Sequence, residues 1–418
     1  MLSQFKDIAK QKIHAKRKEL FGKHPDVFTK MYAFTRSETF RALGFYPYYP
    51  KIEKSDATEV TIDGHKKIML GSNNYLGLTN HPKVIEAGVA ALKEYGSGLT
   101  GSRLLNGNIL LHDELEARLA EFVHKESALV FSTGFGVNLG TITTVCGPGD
   151  MIFSDEYNHA SIVDGVRFSG ASKQKFRHND MNDLEEKIKA TDPKIPRFIV
   201  VDGIFSMEGD IVKMEELVAL SKKYPSRLMV DDAHSLGVLG PNGEGTAAHF
   251  NVTRDVDLIM GTFSKSLGCV GGFIAGEKVI IEYIKHHSRA MIFTASLPPA
   301  NVASVMMALE IIKSEPERRQ QLFDNAEFMR SGLKSLGFNL GESVTPIIPV
   351  VIGKDIKTFQ IWKALMDAGV YTNPIVSPAT PPGRSLLRTS YMATHTREQL
   401  EFCLEMFKKA GRKTGVID

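Results

Sequence analysis

The chain of 418 residues has 51 basic and 48 acidic residues, a net charge of +3, 43% hydrophobic and 24% charged residues. That balance describes a globular protein with a sizeable core, and it excludes a nucleic-acid-binding surface, a disordered tail and a membrane bundle. Cys146, Cys269 and Cys403 are scattered without CxxC spacing, which excludes a zinc or disulfide framework and fits a reducing cytoplasm. No secretory leader and no run of about 18 apolar residues is present, so no membrane span is expected.

At the N-terminus Leu2, Phe5, Ile8, Ala9, Ile13, Leu20 and Phe21 fall near helical spacing among Lys6, Lys10, Lys12, Lys16, Arg17 and Lys18. Such a basic amphipathic segment either packs as an arm on the body or a second subunit, or lies on the anionic inner face of a membrane. From about residue 60, β-rich runs alternate with helical stretches, the pattern of a doubly wound α/β body with a mostly parallel sheet. Strands are predicted at 127–131, 150–154, 197–202, 228–232 and 257–261, with a helix at 110–123. Pro298 and Pro299 stand where a helix would begin, followed by helices over 302–313, 357–368 and 397–409, the last with a Thr396/Gln399 capping box. The expected division is an arm and the start of a small domain at 1–60, a large domain at 61–297, and a smaller α+β domain at 298–418.

Ligands of open α/β sheets collect at the carboxyl ends of the strands. One strand ends in Asp231-Asp232-Ala233-His234, a carboxylate and an imidazole three residues apart. The next ends in Thr262-Phe263-Ser264-Lys265-Ser266, where hydroxyls beside an amine suit a phosphate-bearing carbonyl cofactor. A buried carboxylate at Asp231 needs a cation, and a protonated pyridine nitrogen is one; Asp232 reads as the structural member of the pair. Ser132-Thr133-Gly134-Phe135-Gly136 opens a helix from about Val137 and turns amides toward an anion. The dinucleotide G-x-G-x-x-G and the nucleotide G-x-x-x-x-G-K-[ST] patterns are absent, which disfavours a nicotinamide oxidoreductase. His159, after the strand at 150–154, has no second H-E-x-x-H histidine, so it reads as facing a planar ring and no metal is expected.

Together with Gly71-Ser72-Asn73-Asn74-Tyr75-Leu76-Gly77-Leu78, Gly101-Ser102-Arg103-Leu104-Leu105-Asn106-Gly107, the run from Asp202 to Asp210, Phe293-Thr294-Ala295-Ser296 and Met392-Ala393-Thr394-His395-Thr396, these motifs resemble the α-oxoamine synthase family of fold-type I pyridoxal phosphate enzymes. The resemblance runs from about residue 38 to the C-terminus. It implies that Lys265 binds pyridoxal 5'-phosphate, Asp231 pairs with the pyridine nitrogen, His234 meets the ring hydroxyl and His159 stacks on the ring. It implies phosphate contacts from Gly134, Phe135, Thr262 and Ser264, with Ser206 in the same pocket and Thr294 reaching the neighbouring subunit of a homodimer. Arg388 matches the arginine that engages the substrate carboxylate, and Asn74, Tyr75, Ser102 and His159 fall among the implied substrate-binding residues.

Ser264-Lys265-Ser266 is similar to the family members that join L-serine to palmitoyl-coenzyme A, giving 3-oxosphinganine for sphingolipid synthesis; relatives using glycine or alanine more often carry Gly-Lys-Ala. The alternatives are a sister activity, glycine C-acetyltransfer or 8-amino-7-oxononanoate formation, and an idle, membrane-docked subunit, which the intact Lys265 argues against. Val376 stands where some members have a second, loop-borne arginine, and Arg384 is the candidate substitute.

Overall fold

The computed structural model describes residues 26–32 and 34–418. The amphipathic segment at residues 2–21 lies outside the described residues.

Strands β1 (Lys54–Asp56), β2 (Glu59–Ile62) and β3 (His65–Met69) precede those of the main sheet: β4 (Ser127–Phe131), β5 (Met151–Asp155), β6 (Ser172–Phe176), β7 (Arg197–Asp202), β8 (Arg227–Asp231), β9 (Leu258–Thr262) and β10 (Gly272–Gly276). The seven form one sheet in the order β4-β10-β9-β8-β7-β5-β6. Only β10 runs against its neighbours, β4 and β9. Sequence patterning did not anticipate β10, because glycines at both ends mask the signal of Phe273 and Ile274. Those glycines are steric requirements: a Cβ on Gly272 would lie 2.7 Å from the Gly261 carbonyl oxygen.

Alternation along the strands divides the sheet into two buried faces. Val130, Phe153, Ile199, Val201, Val230 and Phe273 enter one core, and Leu129, Ile152, Val200, Met229, Met260 and Ile274 the other. Both faces are covered by helices, so apolar residues fill the strands almost without interruption.

Core packing divides the chain elsewhere than at the expected boundaries of 60/61 and 297/298. Helix Pro299–Ser314 buries Val302, Val305 and Leu309 in the core of the large body. The change falls inside helix Glu317–Ser335, whose Leu322 belongs to that core while Ala326, Met329 and Leu333 belong to another. The smaller domain has strands β11 (Ile347–Gly353), β12 (Val370–Tyr371), β13 (Asn373–Ile375) and β14 (Ser385–Ser390). It draws in the N-terminal strands beyond residue 60, since β12 pairs in parallel with β3 and closes the sheet β1-β2-β3-β12. The last helix, Arg397–Thr414, starts with the expected box: Thr396 Oγ1 accepts from the Gln399 amide at 3.3 Å and Gln399 Oε1 from the Thr396 amide at 3.1 Å. Among the described residues no helix is long and apolar enough to cross a membrane.

Candidate active site

Parallel β5, β7 and β8 end in Asp155, Asp202 and Asp231, and β9 runs into the turn that carries Lys265. Between these ends lies a cavity of about 280 Å³, lined among others by Gly134, Phe135, His159, Asp202, Ser206, Asp231, His234, Thr262, Ser264 and Lys265. Asn74, Tyr75, Ser102, Thr294 and Arg388 are not in this lining.

Asp231 is 2% exposed. Its Oδ2 accepts from Asn138 Nδ2 at 2.6 Å and its Oδ1 from the Ala233 amide at 2.9 Å, so the carboxylate is fixed by both the facing helix and its own turn. Burial lowers the Lys265 pKa to about 8, with the Asp231 and Asp202 carboxylates opposing the fall. An amine held there is partly neutral near physiological pH and hence nucleophilic. Asp202 is pushed well above the ordinary carboxylate range by burial and by Asp231 beside it.

Helix Gly134–Val145 begins at the cavity, three residues earlier than the sequence suggested, because Thr133 caps it by accepting from the Gly136 amide at 2.9 Å. Its N-terminal amides and partial positive charge face the same opening as two hydroxyls, Thr262 Oγ1 and Ser264 Oγ, 3.0 Å apart. A Cβ on Gly134 would come within 2.6 Å of Thr262 Oγ1. The missing side chain lets the helix start pack directly against Thr262, and both residues line the cavity.

His159 caps helix Ala160–Phe168 and sits exposed at the cavity mouth, with Nδ1 2.7 Å from Ser161 Oγ. The pocket wall lowers its pKa against the pull of Asp231, which favours the neutral ring. His234 is buried and held well below the usual histidine range by that burial; its Nδ1 is 2.6 Å from the Tyr75 hydroxyl. Burial pushes Tyr75 up to about 12, so the phenol keeps its proton and donates it to Nδ1. The His234 proton is then on Nε2.

The remaining expected residues have other surroundings. Asn74 is occupied locally, donating to Thr79 Oγ1 at 2.8 Å. Ser102 is half-buried, outside the cavity. Thr294 is exposed on the segment following helix Arg289–Ile292, and the same segment touches the cavity rim where Ser132 Oγ donates to the Ala295 carbonyl at 2.5 Å. Arg388, on β14, donates through Nε to the Ser206 carbonyl at 2.6 Å and through Nη2 to Asn73 Oδ1 at 2.9 Å. Val376 is buried in the wall of a second, aromatic cavity, so no cation is available at that position. Arg384 is exposed, close enough to Tyr157 and Glu208 to influence both.

Residues 65–407 match the family model described as aminotransferase class I and II. The chain belongs to this family. A relative in Bacteriovorax stolpii, a serine palmitoyltransferase, is 48% identical over 93% of this chain and 92% of its own length. An 8-amino-7-oxononanoate synthase of Thermoanaerobacter pseudethanolicus is 42% identical over 91% of this chain and 96% of its own. A solved serine palmitoyltransferase with its pyridoxal phosphate internal aldimine superposes with a TM-score of 0.92 at 39% identity, covering 94% of this chain and 100% of that one. The family fold is thus the fold-type I pyridoxal phosphate architecture. The cavity fits that cofactor: an amine of lowered pKa, a buried carboxylate that could pair with a ring nitrogen, and a helix terminus beside two hydroxyls that could take a phosphate.

Sequence reasoning missed Asp202, Asn138 and Asn158. Asn158 accepts from the Asp202 amide at 3.0 Å, and Asp202 Oδ2 accepts from the His159 amide at 2.8 Å. The signal was available, since Asp202 ends a strand as Asp231 does.

Proposed function

We infer that this chain condenses L-serine with palmitoyl-coenzyme A at pyridoxal 5'-phosphate, releasing coenzyme A and carbon dioxide and leaving 3-oxosphinganine. The observation that carries the reading is the Lys265 amine, set between the Asp231 carboxylate and the Gly134, Thr262 and Ser264 cluster, in a chain so similar to serine palmitoyltransferases. When bound, the cofactor supplies the electron sink that lets serine lose a Cα proton and, later, its carboxylate.

The positions of this chain's residues support the following roles. Lys265 would hold the cofactor through its amine, and with serine bound the same amine would hold and return the proton of Cα. Asp231 would keep the pyridine nitrogen protonated, and the His234 Nε2 proton would be available to the ring hydroxyl. His159 would cover one ring face, and Phe135 and Ser206, which line the same cavity, would help to enclose it. Arg388 takes the serine carboxylate through paired hydrogen bonds, exchanging its present contact with Asn73 for the substrate. In the overall reaction the Cα to thioester carbon bond forms, the carbon to sulfur bond breaks, and the carboxylate leaves as carbon dioxide.

Leu105 and Phe293 are 79% and 71% exposed, and their loops meet where the Ser296 amide donates to the Gly101 carbonyl at 3.0 Å. Covering this apolar surface with a second copy would bring Thr294 and Ser102 to the partner's site, which supports a homodimer with shared active sites. We also propose that the basic segment at residues 2–21 docks on anionic lipid, where each basic residue near the surface contributes about 1 kcal/mol. Deleting residues 1–20 is expected to reduce sedimentation with anionic vesicles while turnover of soluble thioester persists; a truncated chain that no longer dimerises would make the segment a subunit arm instead.

The deciding experiment supplies L-serine, L-alanine or glycine with acyl thioesters of several lengths and identifies products by mass spectrometry. L-Serine with palmitoyl-coenzyme A should give the 3-oxosphinganine mass. A preference for alanine or glycine would move the chain to a sister activity such as 8-amino-7-oxononanoate formation.

A further inference from the structure

His178 follows β6 and is not in the cavity lining. Its Nδ1 is 3.1 Å from Asp155 Oδ1 and its Nε2 is 2.9 Å from Asp210 Oδ2. The ring stacks on Tyr157 at 4.4 Å between centroids and meets Phe205 edge-on at 4.4 Å. Three elements therefore converge on one imidazole: the end of β5, the turn after β6, and the loop at 203–211. Asp155 also accepts from the backbone amides of Tyr157 and Asn179, at 2.8 Å each, which shapes the turn leading to His159. Asp210 ends the loop that holds Ser206, whose carbonyl accepts from Arg388.

Burial opposes a charge on His178, yet the hydrogen bonds to Asp155 and Asp210 carry its pKa up to about 10. Both ring nitrogens then donate, as two carboxylate acceptors require. Glu156 and Glu208 are the other acidic groups nearby: Glu156 accepts from the His178 backbone amide at 3.0 Å, and Glu208 is influenced by the ring's charge. No step of the reaction described above uses this cation.

We propose that His178 is a positioning residue which, by bridging Asp155 and Asp210, locks the loop of His159 to the loop of Ser206 and so orients Arg388 toward the substrate carboxylate. The proposal rests on the reading of His159 and Arg388 given above, and it assigns to a residue outside the cavity lining a control over substrate geometry. The clamp acts through backbone: on one side the turn at 155–159, on the other the Ser206 carbonyl.

The test compares cofactor-saturated parent, His178→Ala and His178→Gly. L-Serine affinity is read from the change it causes in the cofactor's visible spectrum, normalised to bound cofactor. Visible circular dichroism reports the cofactor's orientation, and backbone hydrogen exchange follows residues 156–159 and 204–210. The variants should bind L-serine about ten- to a hundredfold more weakly, the loss expected when hydrogen bonds to a charged group are removed. Their dichroism should weaken and exchange in both loops quicken, and added imidazole should restore all three in His178→Gly. Variants that melt earlier but keep parental L-serine affinity, dichroism and loop exchange would reduce His178 to a stabilising residue and overturn the proposal. If the parent itself ignores L-serine, the substrate reading falls; unchanged dichroism and exchange would then still overturn the clamp, and changes in both would uphold it.

Discussion

Lys265→Ala should lower turnover by at least about 10³-fold, because one side chain supplies both the covalent hold on the cofactor and the proton transfer at Cα, and proton transfer by a positioned group alone is worth about 10²–10⁴-fold. The body should stay folded, since the hydrophobic cores are built from other residues. Borohydride reduction of the parent should fix pyridoxal on Lys265, and the variant should take up no label. Label on another lysine, or substantial turnover by the alanine variant, would end the assignment. The same residue predicts a pH dependence. Only the neutral amine attacks an aldehyde, and burial brings the Lys265 pKa from 10.5 to about 8. Cofactor capture by the apo chain should therefore accelerate with rising pH through about 8 and level off above it. A rate that keeps climbing toward pH 10.5 would mean that the amine is not held as the cavity implies.

Asp231→Asn should cost about 10²–10³-fold in turnover. The amide can occupy the space of the carboxylate beside Asn138 and Ala233, but it presents no charge to a pyridinium nitrogen. Breaking a buried charge pair costs about 3–5 kcal/mol, and each 1.36 kcal/mol is tenfold in rate. A second readout follows from the electrostatics: Asp231 raises the Lys265 pKa against burial, so without it the capture profile should shift to lower pH. Turnover within a few-fold of the parent, with an unmoved capture profile, would make Asp231 a turn residue.

Much of this site is legible in the chain because a parallel sheet turns strand ends into addresses. Residues just past an apolar, β-branched run are delivered to one edge whatever the helices do, so Asp231, His234, Thr262, Ser264 and Lys265 could be placed together before any coordinates. The glycine-rich turn at Gly134 was readable for the same reason. Asp202 obeys the rule equally, yet it was grouped with its motif and given no role; the omission lay in reading the strand end, not in the sequence signal. His178 is different. It follows β6, whose Ser172–Phe176 run of four consecutive polar residues before Phe176 marks an edge strand, and nothing local shows that Asp210, 32 positions later, returns to meet its ring.

The sequence by itself determined the α/β body, the strand-end constellation and the cofactor chemistry, because these depend on short continuous apolar runs and on which residues directly follow them. Only the tertiary structure decided that β3 and β12 join the two ends of the chain into one small domain, that the core changes hands within helix Glu317–Ser335, and that Arg388 rests against Ser206 and Asn73. It also decided the protonation states. Sequence names the titratable groups, but burial and the distance to a carboxylate set the Lys265 pKa near 8 and the His178 pKa near 10, and both quantities come into being only when segments remote in the chain pack against one another.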